Sequence, residues 1–75
     1  MINIQDIIPF MKKGWVAMDE DKKWWWYSKK PYKYDIRGYW IVKNGEQGMI
    51  DNDVFDIAPA DDWTKSLICI KVGGK

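Results

Sequence analysis

Turn-forming residues divide this 75-residue chain into segments that are too short for long helices. After Gly14, glycine, proline, asparagine and acidic positions recur about every six to ten residues. Between them lie short runs of aromatic and β-branched residues, which favour strands. The spacing therefore predicts an α+β fold in which short antiparallel strands follow a single helix.

The helical signal lies at the N-terminus. Asn3 is a suitable N-cap, and apolar residues follow at helical spacing, namely Ile4, Ile7, Ile8 and Met11. Pro9 lacks an amide donor, so we expect the helix either to kink or to split there. Gly14 is expected to end it.

Strand signals occupy most of the remaining chain. In order, they cover residues 15–18, 23–27, 32–37, 39–43, 46–50 and 67–72, with a shorter segment at 54–57. Asn44 and Gly45 both tolerate the positive φ of a type I′ turn, which predicts a hairpin over residues 39–50. A polar turn at residues 19–22 predicts another hairpin, and Asp61 or Asp62 is expected to cap a helical turn before Trp63.

These segments predict one small domain. Residues 1–72 are expected to form a short N-terminal helix packed on a small, strongly twisted antiparallel sheet or a partly closed barrel of five or six strands. Residues 73–75 are expected to be a frayed tail. A chain of this size buries only about 60% of its surface, so the six tryptophans favour a core built from large rings. The expected core residues are Trp15, Trp40, Trp63, Ile68 and Ile70.

Residues 22–29 combine aromatic and basic side chains. On a strand, Trp24 and Trp26 share one face, which we expect to enter the core beside Val16 and Met18. The opposite face carries aromatic rings between lysines, an arrangement that suits either a protein interface or stacking on nucleotides. The predicted binding residues are Lys23, Trp25, Tyr27, Lys29 and Lys33. The alternative is that the rest of the monomer covers this face.

Charge is distributed unevenly along the chain. Residues 1–43 hold nine Lys or Arg and five Asp or Glu, a net charge of +4, and residues 44–75 hold three and six, a net charge of −3. The sum is the overall +1. This asymmetry predicts a molecule with one basic and one acidic face.

The composition argues against catalysis. Histidine is absent and Cys69 is the single cysteine, which excludes His-based acid–base chemistry, Cys/His zinc sites and an intramolecular disulfide. Asp51 and Asp53 match the start of an EF-hand loop, but Phe55 occupies the third ligand position. We therefore expect no enzymatic activity, no metal and no cofactor. The chain has neither a run of ~20 apolar residues nor a signal-peptide layout, so a cytoplasmic protein without membrane contact is expected.

Three strings carry a family resemblance: residues 13–21, residues 24–31 with Trp-Trp-Trp-Tyr and Lys-Pro, and residues 55–63. They resemble small, tryptophan-rich, uncharacterised proteins of phages and prophages. The order of helix, Lys-Lys-Gly, β-hairpins and a late Ala-Asp-Asp-Trp is also similar to phage anti-defence proteins that sequester cyclic-nucleotide signals and form oligomers. The resemblance implies a role in host takeover or anti-defence, and it assigns no binding residue.

The expected function is that of a small non-catalytic binding protein, encoded by a phage or mobile element, that acts by contact with a host macromolecule. Its partner would be a protein or, in a homo-oligomer, a second copy of the chain. The alternatives are a nucleotide or single-stranded nucleic-acid binder that uses the basic–aromatic face, and a structural small subunit.

Overall fold

The computed structural model describes residues 1–50 and 54–71, and it confirms an α+β fold with antiparallel sheets. The elements are helix α1 (Ile4–Ile7), 3-10 helices at Ile8–Phe10 and Trp63–Lys65, and strands β1 (Gly14–Met18), β2 (Trp24–Tyr27), β3 (Tyr32–Tyr34), β4 (Tyr39–Ile41), β5 (Gln47–Met49) and β6 (Ile68–Ile70). One sheet has the order β5-β2-β1-β6, and the other pairs β3 with β4. No closed barrel forms within these ranges. Two predictions lie outside the described residues. They are the turn at residues 51–53 with its EF-hand-like carboxylates, and the tail at residues 73–75 with Val72 before it.

Pro9 splits the N-terminal helix. Asn3 caps α1 as predicted, because its side-chain oxygen accepts a hydrogen bond from the Gln5 amide at 2.9 Å. The α-helix ends at Ile7, and Pro9 lies in the following 3-10 helix, where its missing donor is tolerated. Gly14 does not end the helix, since it is the first residue of β1.

The first predicted hairpin is confirmed. Strand β1 pairs antiparallel with β2, and Met18 faces Trp24 at the turn end of the hairpin. The Asp19 amide donates to the carbonyl oxygen of Lys23 at 3.0 Å, and Lys22 adopts a positive φ of 71°. The polar segment between the strands therefore forms the reversal expected of it.

The predicted hairpin over residues 39–50 is wrong. Asn44 has the expected positive φ of 55°, but β4 pairs back with β3, and β5 pairs with β2 in the other sheet. Ser28 fixes this arrangement, because its amide donates to the Glu46 carbonyl at 2.9 Å and its hydroxyl accepts from the Glu46 amide at 2.8 Å. The Asn44 turn thus carries the chain from one sheet to the other.

The four-stranded sheet is covered on both faces. On the first face, Val16, Met18 and Trp24 pack with Ile4 of α1 and, further along the chain, with Ile57 and Ile70. On the second face, Ala17 and Tyr27 pack under Trp40 of β4. The β3–β4 hairpin is therefore a separate layer over the second face.

Two of the expected core residues, Trp40 and Ile70, are buried. The other three, Trp15, Trp63 and Ile68, are half-buried. Trp63 meets Trp40 edge to face, with 6.5 Å between ring centroids. The prediction is thus correct for the centre of the core and too strong at its margin.

The two most deeply placed tryptophans differ in their hydrogen bonds. Trp40 Nε1 donates to the carbonyl oxygens of Met18 at 3.1 Å and Trp63 at 3.2 Å. Trp24 Nε1 is also buried, and no acceptor from the described ranges lies within hydrogen-bonding distance. The Trp40 ring therefore links β4 to Met18 and Trp63, whereas the Trp24 ring contributes through apolar contact alone.

The chain after β5 is mostly irregular. Ile57 makes an isolated parallel bridge with Ile2, so the short strand expected at 54–57 does not form. The Asp62 side chain caps the second 3-10 helix by accepting from the Thr64 amide at 3.0 Å, as predicted. No helix in the described part of the chain is long and apolar enough to cross a membrane.

Candidate functional site

The predicted contact face of β2 lies largely inside the molecule. Tyr27 is only 1% exposed, so the prediction that it lies on an outer face is wrong. Trp25 is half-buried and packs against the same cluster, beneath the β3–β4 hairpin. The alternative left open by the sequence, cover from within the monomer, is what the structure shows. Burial raises the pKa of the Tyr27 hydroxyl, and the nearby charge of Asp19 adds to the rise.

The three lysines of the predicted set are exposed, whereas Trp25 is half-buried and Tyr27 is buried. Lys33 lies opposite Trp40 in the register of β3 and β4. Hydrogen bonds from Thr64 lower the pKa of the Asp62 carboxyl, and the charges of Lys65 and Lys33 lower it further. Lys23 and Lys29 lie just before and just after β2. The predicted lysines therefore remain at the surface, while the two predicted rings pack in the cluster with Trp40.

A different set of aromatic rings faces solvent. Tyr32 pairs with Ile41 and Tyr34 with Tyr39 across the β3–β4 hairpin, which places all four side chains on one face of it. Tyr32, Tyr34 and Tyr39 are 52%, 38% and 39% exposed. Tyr34 and Tyr39 make an edge-to-face pair at 5.6 Å. We call these four residues the tyrosine face.

The segment that carries the tyrosine face is rich in basic residues, although Lys33 lies on the opposite side of the hairpin with Trp40. Residues 29–43 contain five cations and one acid, Asp35, for a net charge of +4. All five cations are exposed: Lys29, Lys30, Lys33, Arg37 and Lys43. The hairpin thus combines exposed rings with positive charge, the chemistry that the sequence had suggested for β2.

A second surface is apolar and lies on the other side of the molecule's central sheet. A groove of about 420 Å³ runs between the 3-10 helix at Phe10 and strand β5, and Trp26 lines it. Its other apolar walls are Met11, Met49, Ile50 and Phe55. Phe10 is 89% exposed. The Lys12 ammonium lies over the Trp26 ring at 5.3 Å, so one end of the groove is positively charged. We call this surface the apolar groove.

The apolar groove runs beside an edge of the sheet. The Ile50 amide donates to the Trp24 carbonyl, and the Ser28 amide donates to the Glu46 carbonyl, so alternate residues of β5 bond inward to β2. By the alternation of an antiparallel ladder, the backbone N–H and C=O groups of Gln47 and Met49 point away from β2. Across residues 1–50 and 54–71, no strand pairs with this outer edge.

The structure also locates the residues considered for chemistry. Cys69 is exposed on edge strand β6, so it is not the small core hydrophobe that its position between isoleucines suggested. In the two described ranges, no group of three or more cysteine or acidic side chains is placed to hold a metal ion.

Sequence reasoning missed both surfaces for identifiable reasons. The alternation of Tyr32, Tyr34 and Ile36 with charged residues predicts the strand at residues 32–37, but period-2 alternation does not say which face is covered. One signal was usable: the chain has too few strongly apolar segments to cover the outer side of the β3–β4 hairpin.

Comparisons with models of protein families, with curated proteins and with solved structures find no match for this chain.

Proposed function

We propose that this protein is a small non-catalytic binding protein that captures an extended segment of a partner protein along the outer edge of β5. The observation that carries the proposal is the position of the outward backbone groups of Gln47 and Met49 next to the apolar groove. The resemblance to phage and prophage proteins makes a host protein the expected partner.

Backbone geometry supports an added strand as the mode of binding. An extended segment placed about 4.8 Å from β5 would pair with the four outward groups of Gln47 and Met49. Its alternate side chains would then point toward the face that carries Trp26. Gly48 helps here, because a Cβ at this position would meet nothing within 4 Å, so the floor of the groove beside Trp26 is open.

The lining of the groove specifies the chemistry of the partner. Phe10, Phe55 and Ile50 require apolar side chains at alternate positions of the segment. Lys12 favours an acidic residue at the end of the segment that reaches it. The partner we propose is therefore an extended segment with alternating aliphatic or aromatic residues and an acidic flank.

Selection from a display library of random twelve-residue peptides tests this proposal. We expect the enriched sequences to show apolar residues with a period of two and acidic residues at one end. Enrichment of helical periodicity, or of basic sequences, would contradict an added strand.

Proline variants then locate the binding edge, with an enriched peptide synthesised as the probe. Met49→Pro removes an outward donor without breaking the ladder to β2, and we expect it to weaken binding at least tenfold. Cys69→Pro is the matched control on the opposite edge of the sheet. Cys69 pairs with Trp15, and its backbone N–H points away from β1, as that of Met49 points away from β2. This variant should leave binding unchanged. Gly48→Leu fills the floor of the groove and should weaken binding while the fold is retained.

A second copy of the chain is the competing occupant of the same edge. Light scattering coupled to size exclusion should show a monomer for the parent protein. A dimer that Met49→Pro converts to monomer would show that the edge serves self-association, and it would contradict a foreign partner.

A further inference from the structure

We propose that the tyrosine face of the β3–β4 hairpin is a second binding site, and that it binds single-stranded nucleic acid. It is formed by Tyr32, Tyr34, Tyr39 and Ile41, and it shares no residue with the apolar groove. The inference therefore does not depend on the function proposed for the β5 edge.

The tyrosines are not needed to cover the core. The opposite side of the same hairpin places Trp40 in the core, where it is buried over Ala17 and Tyr27. The three tyrosine rings remain between 38% and 52% exposed. Exposed rings on one side of a short hairpin offer surfaces on which unpaired bases stack, as in other proteins that bind single strands.

The edge-to-face pair limits how bases would bind. Because Tyr34 and Tyr39 meet at an interplanar angle of 87°, their ring faces point in different directions. A base that stacks on one ring therefore does not occupy the other. Tyr32 lies two residues before Tyr34, at the start of β3 and on the same face. The site fits a strand of two or three bases splayed over successive rings, and not a flat stack or a closed duplex.

Charge identifies the ligand as an anion. Four exposed cations of residues 29–43 lie off the core-facing side of the hairpin, namely Lys29, Lys30, Arg37 and Lys43, whereas Lys33 pairs with Trp40 on that side and Glu20 packs beside Gly38 at the turn. The phosphates of a nucleic acid are the charges that such cations meet. The Lys29–Lys30 pair precedes β3 and Lys43 follows β4, so these three cations all lie toward the open end of the hairpin, where Tyr32 pairs with Ile41. Bases can stack on the rings, and phosphates can pair with the cations. Together these two interactions favour a nucleic acid over an acidic protein.

Fluorescence anisotropy of labelled twelve-nucleotide oligothymidylate and oligouridylate tests the inference. We expect binding at low salt, with log K falling against log salt at a slope of about −2 to −3.5, since each phosphate contact on a single strand contributes about −0.7. Lys30→Gln and Lys43→Gln should each reduce this slope by about 0.7. A double-stranded oligonucleotide of the same length should bind more weakly.

Tyrosine variants separate stacking from charge alone. Tyr34→Ala should weaken binding by about fivefold or more, because stacking on an aromatic ring changes affinity by roughly 5- to 150-fold per base. Tyr34→Phe keeps the ring and should bind within about twofold of the parent. Circular dichroism of each variant verifies that the exposed substitution leaves the fold intact.

Three results would overturn the inference. One is the absence of oligonucleotide binding at about 20 mM salt and millimolar protein, where phosphate contacts are strongest. Another is Tyr34→Ala binding as tightly as the parent, which would show a response to charge alone. The third is loss of oligonucleotide binding in Met49→Pro, which would place the site at the β5 edge instead of on the tyrosine face.

Discussion

Among single residues, Asp19 links the turn of the first hairpin to the layer that covers it. Its carboxylate accepts a hydrogen bond from the Trp40 amide at 3.0 Å. Partial burial raises the pKa of Asp19, the Trp40 hydrogen bond lowers it, and the charge of Asp21 raises it, with a net rise above the usual 3.8. The Trp40 hydrogen bond favours the charged form of Asp19, but burial outweighs it. Compared with the unfolded chain, the fold therefore disfavours the charged form of this carboxyl.

This pKa shift fixes the sign of a pH dependence. A carboxyl whose pKa is raised in the folded state contributes most to stability at a pH below its usual pKa of 3.8. This contribution is lost as the pH rises through the raised pKa of the folded state. Asp19→Asn keeps an oxygen that accepts from Trp40 and carries no charge. Its free energy of unfolding relative to the parent should therefore increase between about pH 3 and pH 7, as measured by urea unfolding at both values.

Asp62→Asn is the control for Asp19→Asn, because the pKa of Asp62 is shifted in the opposite direction. The pKa of Asp62 is lowered by the Thr64 hydrogen bonds, so its contribution is present above 3.8 and lost as the pH falls. The relative stability of Asp62→Asn should thus decrease over the same rise in pH. Parallel pH profiles for the two variants would contradict the account of both residues.

At the scale of elements, two glycines of the same sheet have opposite surroundings. A Cβ at Gly14 would overlap the carbonyl oxygen of Tyr27 and lie 2.8 Å from Trp26 Nε1, whereas a Cβ at Gly48 would meet nothing within 4 Å. Gly14→Ala must therefore push β1 and β2 apart, and we expect it to cost about 2 kcal/mol of unfolding free energy or more. Gly48→Ala should change the unfolding free energy by less than about 0.5 kcal/mol. Equal unfolding midpoints in urea would show that β1 and β2 do not approach as closely as described.

The elements also show what local sequence determines. The β1–β2 hairpin, the Asn3 cap and the Asp62 cap were predictable because each depends on residues within a few positions of one another. The failed hairpin over 39–50 depends on pairing across the chain. Asn44 determines that the chain turns, but the bonds between Ser28 and Glu46 determine that β5 joins β2.

The candidate sites were less predictable than the elements for a related reason. Alternation divided β2 correctly into a Trp24 side and a Tyr27 side, and it could not show that Trp40 would cover the latter. The exposure of Tyr32 and Tyr34 follows from the same event, since the hairpin that turns Trp40 inward turns these rings outward. Which surface binds thus depends on how the layers pack, and packing is not encoded in any one segment.

At the scale of the whole molecule, a single central sheet depends on cover from both sides. Helix α1 contributes Ile4 to the first face, and the β3–β4 hairpin contributes Trp40 to the second. A chain this small has a total stability of only about 5 kcal/mol, so neither layer is dispensable. The same hairpin also presents the tyrosine face, which makes the proposed nucleic-acid site depend on the core beneath it.

Substitution on the two sides of that hairpin tests this dependence. Trp40→Ala removes the ring over Tyr27 and the two hydrogen bonds of its Nε1, and it should cost about 3–5 kcal/mol, nearly the whole stability of the fold. We expect this variant to be largely unfolded at 25 °C by near-ultraviolet circular dichroism and tryptophan fluorescence. Tyr34→Ala, on the outer side, is the matched control and should unfold within a few degrees of the parent, since its ring is exposed. A Trp40→Ala protein that melts with the parent would mean that the hairpin does not hold the second face of the sheet.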